Sequence, residues 1–338
     1  MFKFLHSIFG GDEQHGRYPA SLIDMAIERA VEGTDPRLRA LPGYARKLRE
    51  PIIHAIDHVI DLVEDIHKTQ PRVRVDTATH GADPRLGALF ATSQSMFDTL
   101  ARDQTLRDYL EGAPERRSHD ITTLLLCERL ERHVLGMEVV DDQLRKDVAQ
   151  VAVSFLAHRL LEPDIREEES RRHLKRRGFD FILTQALNQI NERTLERADL
   201  NRQRDLLTRK LEALERGGWS FKLMDPQQPD LASLSAELDG ITEQLQALGP
   251  DQAVLESHLA IVIEALDNAE RYLRIEPLRY HLDAMNILRD PQDPAARDID
   301  LLELRGARDQ AAVILPLLVI PDLLPAQPDF LTAIERYY

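Results

Sequence analysis

The chain has 338 residues, of which 43% are hydrophobic, 30% charged and 5% aromatic, and its net charge is -15. That length allows two or three domains with buried cores, and the acidic balance repels phosphate backbones and anionic lipid at long range, which argues against a nucleic-acid partner. Leu, Ala, Glu and Arg dominate while β-branched alternation is nearly absent, so composition predicts an all-α protein.

Residues 1–16 form the first segment. Phe2, Phe4, Leu5, Ile8 and Phe9 cover a little under half of a helical wheel, with Lys3, His6 and Ser7 opposite. Gly10, Gly11 and a polar stretch follow. Such a helix on a leash suits docking onto the protein's own body, onto a partner, or onto a membrane surface. It is too short for a signal peptide, and the expectation is a cytoplasmic protein.

Residues 17–163 read as a helical bundle. Gly33–Leu41 recurs as Gly81–Leu89 at an offset of 48 residues, with seven of nine positions identical. In each copy an aspartate, Asp35 or Asp83, is placed to cap a helix whose first residue is Pro36 or Pro84. The echo marks either a duplicated helical unit or one start signal used twice. Pro51 opens an amphipathic helix to about His67, with isoleucines and valines on one side. Further helices are expected over about 85–110, from Ser118 or Asp120 through Leu130, and over about 141–161. The single cysteine, Cys127, lies in the apolar run with Leu124, Leu125 and Leu126, so it reads as a small core residue. An intrachain disulfide is excluded, which fits a reducing compartment.

Residues 164–290 read as a long antiparallel coiled-coil hairpin. Glu167–Glu169 precede the basic run Arg171–Arg177, and opposite charges four apart on a helix pair with each other, so a surface salt-bridge ladder is favoured over a phosphate contact. The first arm carries a seam through Phe179, Leu183, Ala186, Ile190, Arg193, Arg197, Leu200, Arg204, Leu207, Leu211 and Leu214, its three arginines snorkelling or pairing with acids, and stops at Gly217-Gly218. A loop with Trp219, Phe221, Pro226 and Pro229 leads to the second arm. There, thirteen seam positions from Leu231 to Leu273 include eleven large aliphatics, a 3.5-residue repeat for helices packed along their length. Gly249-Pro250 reads as a kink in that arm. A final helix is expected from Leu278 through Leu288, ended by Pro291 and Pro294.

Residues 291–338 read as a short irregular packing region. The apolar run Ala311 to Leu324, interrupted by Pro316, Pro321 and Asp322, falls short of the ~18 apolar residues of a membrane span and suits a buried strand or irregular core segment.

Two sets of residues carry functional readings. His54 and His58 share one helix face at i and i+4, with Asp61 beyond, the spacing of two metal ligands. The order His-x-x-acid-His resembles the inverted zinc-peptidase motif over five residues, with Asp57 where that motif has glutamate. The same side chains lie opposite the isoleucines, as a solvated face does. Trp219 and Phe221 at the hairpin tip, and Phe2, Phe4, Leu5 and Phe9 at the N-terminus, are the candidate partner contacts. Phosphate loops, dinucleotide-binding turns and nucleophile elbows have no counterpart in the sequence. The leading expectation is a cofactor-free, non-catalytic scaffold or adaptor that binds a protein partner or itself. A metal-binding protein or metal-dependent enzyme, and a peripheral membrane protein, are the alternatives.

Overall fold

The structure is a computed structural model that describes residues 16–140, 143–216, 231–247, 251–307 and 310–325. It begins with helices α1 (Ala20–Gly33) and α2 (Tyr44–Thr69), then strand β1 (Val73–Val75). Short helices α3 (Thr77–Ala82), α4 (Pro84–Leu89), α5 (Ser93–Arg102) and α6 (Gln104–Glu111) follow. Two long strands come next, β2 (Ile121–Val140) and β3 (Gln143–Asp164), and then helices α7 (Glu167–Arg216), α8 (Leu231–Ala247), α9 (Asp251–Asp267) and α10 (Ala269–Tyr272). Strands β4 (Leu273–Leu282), β5 (Arg297–Gly306) and β6 (Ala311–Val319) complete the set. The described residues divide into one unit within 56–179 and 270–325 and a second within 16–55 and 180–269.

The all-α expectation is wrong: strands make up 25% of the chain against 59% helix, and they form a six-stranded sheet. The bundle reading of residues 17–163 falls with it, because the segments expected as helices near 118–130 and 141–161 are β2 and β3. Likewise the helix expected from Leu278 through Leu288 is the end of β4 and a hairpin turn, and the C-terminal region contributes β5 and β6. The helix expected over 85–110 is three pieces, broken at Phe90 and at Asp103. Pro51 lies inside α2 rather than opening it.

The physical reasons are local. In β2, Ile121 to Leu125 is buried without interruption, and a run buried on both faces has no period that separates strand from helix. In β3 the period is scrambled by β-bulges. Its pairing with β2 shifts between Thr122 and Leu124, between Leu126 and Glu128, and between Gly136 and Met137. Each shift leaves one extra residue on β3, and each extra stretch holds a residue of positive φ: Glu162 (47°), Ala157 (52°) and Asp147 (59°). A bulge flips the alternation, so Val153 and Phe155 point inward before Ala157 but Leu160 does so after it.

The sheet order is β3-β2-β6-β5-β4, antiparallel throughout, with β1 added parallel to β6 at Leu317–Val319. Its outer edges meet. After β4 the chain turns at Asp283, whose carboxylate accepts from the N–H groups of Met285 and Ile287, and Asn286 takes a φ of 58°. Ile287 and Leu288 then bridge back to both edges, to Leu282 of β4 and Ala152 of β3. Val153 N–H donates to Asn286 O and Leu288 N–H to Val151 O, each at 2.9 Å. The sheet is therefore a barrel closed through the 283–289 turn.

The barrel interior is apolar: Ile121, Leu125, Val153, Phe155, Leu282, Ile299, Leu301, Leu315, Leu317 and Val319 join Leu86 and Leu89 of α4, Met96 and Leu100 of α5, and Leu106 and Leu110 of α6 in one buried cluster. Cys127 is part of it. Polar contacts pin these helices in place. Asp103 caps α6 through the Leu106 N–H and also accepts from the Leu160 N–H of β3, and Tyr109 Oη accepts from the Ile165 N–H. His158 stacks on Phe90 at 4.7 Å and hydrogen-bonds to Leu89 O, while burial lowers its pKa.

In the second unit, α1 buries Leu22, Ile23, Ala26, Ile27, Ala30 and Val31 along one face. Farther along α7, Leu207 packs with Leu234 and Ile241 of α8, flanked by Leu200, Leu211, Leu238 and Leu245. Nearer the start of this segment Arg193 donates to Ser257 of α9. Positions that advance along α7 thus meet positions that retreat along the returning helices, so the pairing is antiparallel.

Candidate functional site

The sequence-derived sites come apart in the structure. His54 and Asp61 are exposed on α2, and His58 is half-buried with Nε2 2.7 Å from Leu273 O. Among the described residues no group of three or more His, Cys, Asp or Glu side chains is arranged to hold a metal ion. Phe2, Phe4, Leu5, Phe9, Trp219 and Phe221 lie outside the described residues, as do the tip of the hairpin and Gly249-Pro250. The basic run at the start of α7 is engaged with carboxylates: Arg171 with Glu167 and Glu64, Arg172 with Glu169, Lys175 with Glu64 and Arg177 with Glu162.

The repeated nonapeptide builds the same clasp twice. Asp35 Oδ1 accepts from Arg37 N–H and Nε, and Oδ2 from Nη2; Asp83 holds Arg85 through the same three atoms. The copies differ in their surroundings. Asp35 Oδ2 also lies 2.8 Å from Nδ1 of His258, and both side chains are almost fully enclosed. Burial would raise the Asp35 carboxyl, but the hydrogen bonds from Arg37 and His258 outweigh it and hold it at about 2. Asp83 lines an open groove of ≈ 660 Å³ together with Thr79, Arg85, Asp298 and Asp300. Each carboxylate there already has a cationic or imidazole neighbour, Arg85 for Asp83, His281 for Asp298 and Arg279 for Asp300.

The strongest concentration of polar groups is one that the sequence reading missed. Arg129 of β2 donates across the barrel to Tyr280 Oη of β4 at 2.7 Å and to Glu303 of β5 at 3.0 Å, and it pairs with Glu131. Tyr280 donates its own proton to Glu131. Arg305 pairs with Glu303 and Glu276, and Arg274 pairs with Glu276. Three guanidinium groups and three carboxylates therefore alternate, and Glu303, only 2% exposed, sits between two arginines. Burial and the bond to Glu131 push the Tyr280 hydroxyl above its ordinary pKa, so it stays protonated. With every charge matched, this arrangement orders strands rather than moving a proton. The signal for it was a charge pair two residues apart inside an apolar strand, Arg129/Glu131 and Glu303/Arg305, which puts both members on one face.

The class defined so far is a mixed helix-and-barrel protein with a long helical arm. Comparison with known proteins finds no matching family model, no matching curated protein and no matching solved structure. No described helix is long and apolar enough to cross a membrane.

Proposed function

We propose that this chain is a non-catalytic scaffold or adaptor that works by binding protein. The observation that carries the reading is the arm. Helix α7 is 50 residues long, ~75 Å at 1.5 Å per residue. Its seam residues are spent on α8, while Leu195 (65% exposed) and Leu206 (55% exposed) stand on the opposite side, 11 residues and three turns apart. Two large aliphatics in line on a solvated helix face supply the anchors that a partner helix or groove recognises. The charge clusters are matched internally, which leaves recognition to extended surface.

The test is capture from lysate of the source cells with the full chain as bait, against a Leu195→Lys/Leu206→Lys double variant. These positions are solvent-facing, so the variant keeps its circular dichroism. A specific protein recovered by the wild type and lost in the variant supports the reading. Equal recovery by both, or none by the wild type, overturns it.

A further inference from the structure

Leu195 and Leu206 belong to a second seam on α7. Glu192, Leu195, Asp199, Arg202, Leu206 and Arg209 follow one another at alternate steps of three and four residues, and all six are exposed. At about 100° per residue they fall within an arc of about 100°, on the side away from Leu200, Leu207 and Leu211, which pack on α8. From first to last they run ~27 Å along the helix at 1.5 Å per residue. A 3.5-residue spacing is that of a helix lying along another helix.

The order of these residues points to the occupant. It runs acid, leucine, acid, base, leucine, base. Reversed, each acid meets a base, each base an acid, and each leucine a leucine. Place an antiparallel copy of α7 against this seam, with the two-fold axis between Leu200 and Asn201. Glu192 then falls opposite Arg209, Leu195 opposite Leu206 and Asp199 opposite Arg202, each pair twice by symmetry. The flanking positions set Glu196 beside Gln203 and Ala198 beside Asp205, so they add no pair of like charges. Asp199 and Arg202 already pair along their own helix at 3.1 Å, yet their side chains stay 61% and 79% exposed, open to the mate across the axis.

Other placements lose this match. A parallel copy in register sets Glu192, Asp199, Arg202 and Arg209 each against itself. Sliding the antiparallel copy by one heptad sets Leu195 against Asp199 in one direction and Arg202 against Leu206 in the other. We propose that the chain self-associates through this seam, two α7 helices pairing antiparallel about the 200–201 axis. This rests on the reading of the arm as a protein-binding surface and names a second copy of the chain as its partner.

The experiment is sedimentation of the purified full chain. The wild type is expected to dimerise as its concentration rises. Arg202→Glu should weaken that dimer roughly ten-fold, because two symmetric pairs turn from attractive to repulsive. Exchanging both charges in one chain, Asp199→Arg/Arg202→Glu, should restore it, since each new arginine faces a new glutamate across the axis. A parallel pair would be indifferent to both changes. The positions are solvent-facing, so circular dichroism of the variants is expected to match the wild type. A wild type that stays monomeric overturns the proposal, as does a dimer unchanged by Arg202→Glu or not recovered by the exchange. Partner capture from lysate decides the arm reading separately. A monomeric chain that still captures a different protein, and loses it in the Leu195→Lys/Leu206→Lys variant, overturns the dimer and leaves the arm reading standing.

Discussion

Replacing Ala157 with glycine should stabilise this protein, although the same change in an ordinary strand is destabilising. Ala157 is an exposed residue in a bulge of β3 with φ of 52°. An L-residue held there costs about 1–2 kcal/mol from the crowding of Cβ against the carbonyl oxygen. Glycine removes that cost and adds about 0.5–1 kcal/mol of unfolded-state freedom. The net expectation for Ala157→Gly is a gain of about 0.5–1 kcal/mol. Ala149, also exposed on β3 and paired in register with Leu135, provides the control. Ala149→Gly should lose about 0.5–1 kcal/mol, since only the entropy cost applies. Both variants make the same chemical change in the unfolded chain, so their difference of about 1–2 kcal/mol isolates the left-handed backbone. Guanidinium unfolding followed by circular dichroism measures each one, and hydrogen exchange of the β2 and β3 amides localises the effect. Two variants destabilised equally would refute the bulge and with it the phase shift along β3.

Other positions give equally direct tests. A Cβ added at Gly178 of α7 would sit 2.9 Å from Val59 Cγ1 of α2, so Gly178→Ala should cost a net ~1 kcal/mol in thermal unfolding instead of gaining the ~1 kcal/mol of an open helix site. Asp35 titrates near 2 when folded and near 3.8 when unfolded, so its stabilising contribution is complete above about pH 4 and is lost as the pH falls towards 2. Asp35→Ala should remove that segment of the acid-unfolding profile and, by leaving the enclosed His258 Nδ1 and the Arg37 N–H without their hydrogen-bond partner, cost about 1–3 kcal/mol at neutral pH. Burial pushes the Cys127 thiol up to about 12, so a thiol reagent at pH 8 should leave the native protein unlabelled and label it fully in denaturant.

What could be read from the sequence depended on whether one periodicity held. Along α7 and α8 the 3.5-residue spacing keeps its register, although Arg193, Arg197 and Arg204 stand at seam positions of α7, and its residues Leu207, Leu234 and Ile241 are buried together. The Asp-Pro start signals are also local, and both aspartates do cap the turn or helix that follows, with proline at its first position. The barrel was hidden for two reasons. β2 and β6 are buried on both faces near their shared pairing, so Leu124 and Leu125, or Ile314 and Leu315, show no alternation. In β3 the bulge at Ala157 places inward residues at Val153 and Leu160, seven apart, a spacing that imitates two helical turns. The polar cluster was hidden by topology: Arg129, Tyr280 and Glu303 lie on three strands up to 174 positions apart, and only barrel closure brings them together. The metal reading of His54 and His58 used helical spacing alone, whereas the bond from His58 to Leu273 O depends on where β4 begins.

The most direct test of the account is hydrogen exchange on the complex recovered with the full chain, compared with the chain alone. Slowed exchange of the α7 amides around Leu195–Leu206, with the ≈ 660 Å³ groove beside Asp83 unchanged, is the expected footprint of a scaffold that binds through its arm. Slowed exchange confined to that groove, with the arm unchanged, would contradict it and move the functional surface to the barrel unit.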